Sequence, residues 1–320
     1  MNKNMNKKIK IIFAGTASIA TPLLRSLSED DRFDICLVIT QIDKPAGRKM
    51  ELSHSPVKKE ALDLSLNIFQ PENINSAESI EKIVSEKPDA IIVMAYGQIL
   101  SPKVLAIPSQ GCLNIHASLL PKYRGASPIQ SALLNGDKET GISLMKMAEH
   151  MDSGAVYEEF VTAINDSENS IELSAKLGQL TAQKIPDAVF DAVSGKIKPA
   201  GQDEKMVTYA VKISKNDGNI NWSESAEKIN RKIRAFAGWP SAYTYFSGKL
   251  LKILSAEVKT ASAKAEPGTV FKENNEILIA TTDGAIAPLK VQIEGGKPQS
   301  IKDFINGNSG FINSKLTSKP

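Results

Sequence analysis

The sequence is short of cysteine, of clustered glycine, of long apolar runs and of net charge, and each shortage removes a class of protein. Two cysteines, Cys36 and Cys112, occur in 320 residues. Both stand inside apolar, strand-like runs, so they read as small buried hydrophobes and not as a disulfide or a metal site. The expected setting is cytoplasmic. No segment approaches the ~18 apolar residues of a membrane span. The stretch from Met1 to Lys8 is polar and basic, lacks the apolar core of a signal peptide, and is expected to be a frayed arm. After the first strand there is one glycine, Gly15, where a dinucleotide fingerprint has three, and no acidic residue closes the next strand. A nicotinamide cofactor is therefore not expected. No internal repeat or low-complexity tract is visible.

What is present is an ordinary globular composition, 42% hydrophobic and 23% charged, long enough for two domains. The net charge of +3 says little by itself. From Met206 onward, however, 16 Lys and Arg face 10 Asp and Glu, a net of +6, against 23 and 26 before it, a net of −3. A basic C-terminal part is compatible with docking a polyanion.

Apolar runs alternate with helical patterns through the first half. Lys10 to Ala14, Asp34 to Thr40, Asn67 to Gln70 and Ala90 to Ala95 read as strands. Helices are expected between them, one with Ile19, Leu23, Leu24 and Leu27 near one face and one capped by Ser76 with Ile80, Ile83 and Val84 on one face. Tyr96 to Leu100 is expected to begin a helical connection. Further on, Thr140 to Met147 and Ala155 to Phe160 read as strands, and Ser170 to Val193 as a long helix with Leu173, Leu177, Leu180 and Ile185 inward. The alternation predicts an α/β domain over residues 1–194, with a doubly wound, mostly parallel, Rossmann-like sheet. Gly, Pro and charge mark residues 195–206 as a linker. Residues 207–320 hold a helix with Lys228, Arg231, Lys232 and Arg234, then five short strands, which suggests a smaller C-terminal β-barrel of OB type. Trp222, Trp239 and Tyr243 there are candidates for base stacking or for core.

The chemistry is expected in Gly111-Cys112-Leu113-Asn114-Ile115-His116-Ala117-Ser118-Leu119-Leu120-Pro121-Lys122-Tyr123-Arg124-Gly125. Leu113 and Ile115 alternate with Asn114 and His116, which puts an amide and an imidazole on one face of a strand. A Pro- and Gly-punctuated loop follows, so the pair falls near a strand's C-terminal end, where open α/β sheets bind ligands. The tripeptide alone also fits a hydrogen-bonded polar pair at a strand end. Downstream, Asp152 precedes a Ser153-Gly154 turn. Upstream, Gln41 to Lys49 is a polar loop in which Lys44, Arg48 and Lys49 surround a Pro45-Ala46-Gly47 turn. His54 reads as a surface or capping residue and His150 as a surface residue.

The long string resembles the signature of the folate-dependent formyltransferases. The likeness extends to Ile11-Ile12-Phe13-Ala14-Gly15-Thr16, Met151-Asp152-Ser153-Gly154, Arg234-Ala235-Phe236 and Trp239-Pro240, in order over most of the chain. Within that family the chain is most similar to the members that act on tRNA. The resemblance implies 10-formyltetrahydrofolate as a formyl-donating co-substrate, initiator methionyl-tRNA as the acceptor partner, and no metal or membrane. It makes Asn114, His116 and Asp152 the catalytic set. Ser118, Leu119, Leu120 and Pro121 would line the folate site, with backbone near Tyr96 and Gly97 forming part of the pterin pocket. Lys44, Arg48 and Lys49 would reach the acceptor end of the tRNA. Formyl transfer needs a donor aimed at an oxyanion and a route for the amine proton, which an amide, an imidazole and a carboxylate can supply. Arg124 either binds an anionic part of a substrate or holds its own loop, and the second role is favoured.

Two other readings stay open at this point. The same chemistry could serve a small amine, such as an amino sugar nucleotide or glycinamide ribonucleotide. A catalytically idle RNA-binding protein is the third, against which the Asn114, His116 and Asp152 set argues.

Overall fold

The computed structural model describes residues 8–46, 51–260, 262 and 265–319. The chain divides into two compact units, the first comprising Met1–Pro128, Glu139–Ala163 and Ser174–Ala210. The second comprises Ile129–Lys138, Ile164–Leu173 and Val211–Pro320.

In chain order the elements begin β1 (Ile9–Gly15), α1 (Thr21–Glu29), β2 (Phe33–Ile39), β3 (Lys44–Ala46), β4 (Glu51–Ser53), α2 (Pro56–Asp63), β5 (Ile68–Phe69) and α3 (Ala77–Glu86). Next come β6 (Ala90–Met94), α4 (Pro102–Leu105), β7 (Cys112–His116), β8 (Arg124–Gly125), α5 (Pro128–Asn135), β9 (Glu139–Lys146), β10 (Val156–Ala163) and α6 (Ser170–Val193). The last are β11 (Tyr209–Ala210), α7 (Ala226–Ala235), β12 (Ala242–Phe246), β13 (Lys249–Lys259), β14 (Val270–Glu273), β15 (Glu276–Ala280), β16 (Ala285–Ile293), β17 (Gln299–Ser300) and α8 (Ile301–Gly307).

The first unit is built on a seven-stranded sheet of order β10-β9-β7-β6-β1-β2-β5. The five strands from β7 to β5 are parallel, while at one edge β9 runs antiparallel to β7 and β10 antiparallel to β9. Parallel strands covered on both faces need continuous apolar runs, and all five residues of β6 are buried. Strand order departs from β1 in both directions, so the ends of β1 and β6 form the switch point at which such sheets bind ligands. That crevice is already cross-braced. Thr16 Oγ1 donates to Tyr96 O at 2.8 Å, and Gln41 Nε2 donates to the same carbonyl at 3.0 Å.

Local chemistry explains the helix starts. Ser55 caps α2 by accepting from Lys58 N at 3.0 Å with Pro56 in the first turn, and Ser76 caps α3 by accepting from Ser79 N at 3.2 Å. Leu23, Leu24 and Leu27 of α1 are fully buried. Three expectations fail in detail. Val84 is 50% exposed, because only Ile83 of its helix face is driven fully inward. Leu180 is half-buried, unlike Leu173, Leu177 and Ile185. Tyr96 to Ser101 is irregular and the helix begins only at Pro102, since Gly97 takes φ +91° to pass beside the Gln41 side chain.

The second unit carries a separate antiparallel sheet of order β12-β13-β16-β15-β14, with β17 paired to β16. The expected five strands are all present, β13 and β16 longer than anticipated. Their inward residues Leu251, Ile253, Val270, Ile279, Ile286 and Val291 form one core with Ile229 and Ile233 of α7. The closing helix α8, capped by Ser300, was not expected from the sequence; it adds Phe304, which packs edge-on to Phe311 and Phe246. Among the described residues the strands trace no complete closed path. The C-terminal segment nevertheless bridges to both ends of the row, Thr317 to Tyr245 of β12 and Lys315 to Thr269 just before β14.

Candidate active site

Asn114 and His116 sit two residues apart on β7 and so share a face, opposite Met145 and Ser143 of β9. His116 is 6% exposed. Its Nε2 lies 2.8 Å from the carbonyl oxygen of Tyr123. A carbonyl can only accept, so Nε2 carries a hydrogen and the neutral ring presents a lone pair at Nδ1. Asp152 Oδ2 lies 3.6 Å from that Nδ1. This is too long for a hydrogen bond, and it leaves a carboxylate facing the ring nitrogen that can accept a proton. The same Oδ2 accepts the backbone N–H of Gly125 at 2.8 Å. The Tyr123 carbonyl thus selects the tautomer of the neutral ring.

Among the described residues none hydrogen-bonds to the Asn114 carboxamide, which leaves its N–H available to a substrate oxygen. Asp152 itself has a left-handed backbone, φ 51°, a conformation its short polar side chain tolerates better than most.

The loop after β7 is shaped from within. Ser118 is fully buried, and its hydroxyl donates to Lys122 O at 2.6 Å. Ser143 donates to Ser118 O at 2.7 Å and accepts from Leu120 N at 3.0 Å. Leu120 is 6% exposed, whereas Leu119 and Pro121 are half-buried. Of the four residues expected to line the folate site, Ser118 and Leu120 therefore build the loop, and Leu119 and Pro121 keep part of their apolar surface exposed. Arg124 is 4% exposed and is spent on Gln202 and Glu204, so it holds the loop.

At the polar loop before α2, β3 and β4 pair as a short antiparallel hairpin. Lys44 is exposed on it, with Nζ donating to Gln41 Oε1 at 2.8 Å. Arg48 and Lys49 lie outside the described residues. Beneath the hairpin, Asp43 accepts from Lys58 Nζ at 2.6 Å, from His54 Nδ1 at 2.9 Å and from Gln70 Nε2 at 2.9 Å. These donors hold its carboxyl at about 2, below the ordinary value of 3.8. His54 is thus a brace of the hairpin, and His150 is exposed.

The cationic side chains of α7 are largely occupied. Lys228 and Lys232 pair with Glu224, Arg231 donates to Asn135 O and Arg234 to Glu168 O. Among the aromatic candidates, Trp222 is core, its Nε1 donating to Thr244 Oγ1 at 3.0 Å, and Tyr243 is buried. Trp239 is 60% exposed. Both thiols are free, and burial pushes Cys36 to about 11 and Cys112 to about 12. No helix among the described residues is long and apolar enough to cross a membrane.

Three contributors escaped the sequence reading: the Tyr123 carbonyl, the Gly125 N–H and Ser143. The first two are backbone groups and leave no residue-type signal. Ser143 left one, a lone hydroxyl in the apolar run Ile142 to Met145.

A mostly parallel α/β unit with an amide–imidazole pair at a strand end and a carboxylate folded against it has the groups that acyl transfer needs. A family model for formyl transferase matches residues 7–189, and one for the formyl transferase C-terminal domain matches residues 212–309. The chain belongs to the formyl transferase family. It is 38% identical over 302 residues to a methionyl-tRNA formyltransferase of Caldanaerobacter subterraneus subsp. tengcongensis, covering 94% of this chain and 97% of that protein. It is 42% identical over 298 residues to a methionyl-tRNA formyltransferase of Thermodesulfovibrio yellowstonii, covering 93% and 95%. Among solved structures its fold is similar to an N-formyltransferase from Helicobacter canadensis in complex with folinic acid and dTDP-3-aminofucose. That likeness has a TM-score of 0.62 at 17% identity, over 91% of this chain and 100% of that one.

Proposed function

We propose that this enzyme transfers the formyl group of 10-formyltetrahydrofolate to the α-amine of methionyl-initiator tRNA, with Asn114, His116 and Asp152 performing the chemistry. The observation that carries the catalytic assignment is the His116 Nδ1 lone pair set 3.6 Å from the Asp152 carboxylate, on the strand face that also bears Asn114. The acceptor follows from near full-length similarity, at about 40% identity, to methionyl-tRNA formyltransferases. The folate donor follows from family membership and from a structural neighbour that holds a folate.

The formyl donor brings an electrophilic carbonyl carbon, and attack by the amine turns its oxygen into an oxyanion. The Asn114 N–H donates to that oxygen as charge develops. His116 Nδ1 takes the proton released by the amine, and the Asp152 carboxylate favours the resulting imidazolium. The same proton can pass to the departing folate nitrogen, so the ring ends the cycle neutral. Leu119 and Pro121 supply apolar walls for the folate, over a loop whose polar groups Ser118 and Ser143 have already satisfied.

For the tRNA, we read Lys44 of the hairpin, with Arg48 and Lys49 that follow it in sequence, as contacts to the acceptor end, and residues 207–320 as the rest of the binding surface. Reading the second sheet as an OB-type barrel is supported by the bridges that Lys315 and Thr317 make to opposite ends of the strand row. The reading places the enzyme in the cytoplasm, where initiator tRNA is used, as a monomer.

The test is an acceptor panel. Purified protein with 10-formyltetrahydrofolate is offered methionyl-tRNA, free methionine, glycinamide ribonucleotide and an amino sugar nucleotide. Formylation confined to methionyl-tRNA is expected. Transfer to a small amine alone overturns the tRNA reading, and RNA binding without any transfer overturns the enzymatic one.

A further inference from the structure

We propose that Gln202, in the stretch that composition marks as a linker, is a positioning residue that sets the Asp152 carboxylate against His116. The inference rests on the catalytic reading above. Its basis is the use made of every polar atom of one carboxamide. Gln202 Nε2 donates to the carbonyl of Asp152 at 2.8 Å and to the carbonyl of Gly154 at 2.7 Å. Its Oε1 accepts from Arg124 Nε at 3.0 Å and from Arg124 Nη2 at 2.8 Å. Two donors and two acceptor sites are all an amide has, and all four are engaged. The group has one orientation, because a flip would set its oxygen against two carbonyls and its NH2 against a guanidinium.

The partners are what give this geometry a catalytic meaning. The two carbonyls belong to the turn that carries Asp152, so one NH2 group fixes the curvature of that turn. Arg124 is itself immobilised by burial and by Glu204 at 2.8 Å. Its neighbour in sequence, Gly125, gives its N–H to Asp152 Oδ2. Asp152 is therefore held from two adjacent residues, through its backbone by Arg124 by way of Gln202 and through its carboxylate by Gly125 directly. The stretch is stitched to the same loop further along. Thr208 Oγ1 accepts from Tyr123 N at 2.8 Å, Thr208 O accepts from Arg124 N, and β11 pairs in parallel with β8. Upstream of Gln202, Ala200 and Val156 exchange both backbone hydrogen bonds. The stretch from 200 to 210 thus acts as a strap across the loop and the Asp152 turn, and Gln202 is its contact with the turn itself.

Two substitutions in the full-length protein separate positioning from mere support. Gln202→Glu retains, and charges, the partner of Arg124 while setting carboxylate oxygen against two carbonyls. Gln202→Ala removes both sides. If Gln202 positions Asp152, both variants lose kcat by about 10- to 100-fold with the KM for folate within about twofold, on the scale of small misplacements at a reacting centre. The Gln202→Glu to wild-type activity ratio then rises as pH falls and the new carboxyl gains a proton to donate. In an Asp152→Asn background, Gln202→Ala causes no further loss, because the two act through one group. A readout independent of turnover is the His116 ring resonances, assignable in a chain with three histidines. They should move in both variants. A Gln202→Glu protein with wild-type kcat, or unmoved His116 resonances in both variants, overturns the proposal. If the wild type formylates no acceptor, the functional reading fails instead, and the resonances still decide the placement of Asp152.

Discussion

The roles of single residues are set by which atoms are already committed. Asn114 keeps a free amide, His116 keeps a free Nδ1, and Asp152 keeps one oxygen between that nitrogen and a backbone donor. Replacing Asn114 by Ala removes an oxyanion donor, and replacing His116 by Ala removes the proton acceptor. Each should lower kcat by ~100-fold or more, the scale of a lost oxyanion contact, with the folded state and tRNA affinity kept; near-normal turnover in either would take that residue out of the mechanism. Gly154 shows a different kind of necessity. A β-carbon there would fall 1.7 Å from the Lys146 carbonyl oxygen, so the turn can approach β9 only with glycine. Gly154→Ala should push the Asp152 turn outward, destabilise the protein by roughly 1–3 kcal/mol, as overpacking does, and cut kcat by ~100-fold. Urea titration and steady-state kinetics on the same sample check both. At this scale the candidate site was legible where side chains carry it, since Asn114 and His116 share a strand face by periodicity and Asp152 came from the family resemblance. Tyr123 and Gly125 were not, because a carbonyl and an N–H belong to every residue. Gln202 was hidden by its setting in a polar, Pro- and Gly-bearing stretch that reads as a tether.

Elements were legible in proportion to how much apolar surface they bury. The central strands, α6 and β12 were read almost to the residue because burial on one or both faces dictates their composition. The failures lie where polar contacts decide. Tyr96 to Ser101 follows Gly97 past Gln41, and α8 depends on a serine cap and a single buried Phe304. The basic hairpin is the clearest case, because it read as a plain loop yet is organised from below by Asp43. Lys58, Gln70 and His54 donate to that carboxyl and hold it at about 2. Since the folded value lies below the ordinary 3.8, the clamp contributes fully above that value and is lost as pH falls towards about 2. Asp43→Asn should therefore lower the urea midpoint at pH 7, with the gap to wild type closing between those two values. A gap that persists at the acid end would mean the carboxylate is not what holds the hairpin. The same variant should raise the KM for methionyl-tRNA and leave that for folate unchanged, because the hairpin is assigned to the tRNA.

At the scale of the whole molecule, charge and chemistry are divided unequally along the chain. The net −3 before Met206 accompanies the reacting groups, and the net +6 after it accompanies the second sheet. Yet the cations of α7 are mostly paired locally, so a surplus of charge does not by itself locate a binding face. What the second unit offers any partner depends first on how its strand row is completed, and the last few residues are the ones that bridge to both ends of it. Leu316 is 3% exposed in the same core as Ile253 and Val270. Around it, Leu316 N donates to Gly268 O, Val270 N to Ser314 O, and Tyr245 and Thr317 exchange two backbone hydrogen bonds. Loss of a buried leucine costs ~2–5 kcal/mol and each unreplaced backbone bond ~1 kcal/mol. Truncation after Ile312 should therefore remove roughly 5 kcal/mol or more, a large share of the stability of a unit this size. The expected outcome is selective. Proteolysis should attack residues beyond Val211 first, and methionyl-tRNA affinity should fall while folate still binds. Intact tRNA affinity in a truncated protein that is still folded would show that the second sheet works open, and would remove the argument for a barrel.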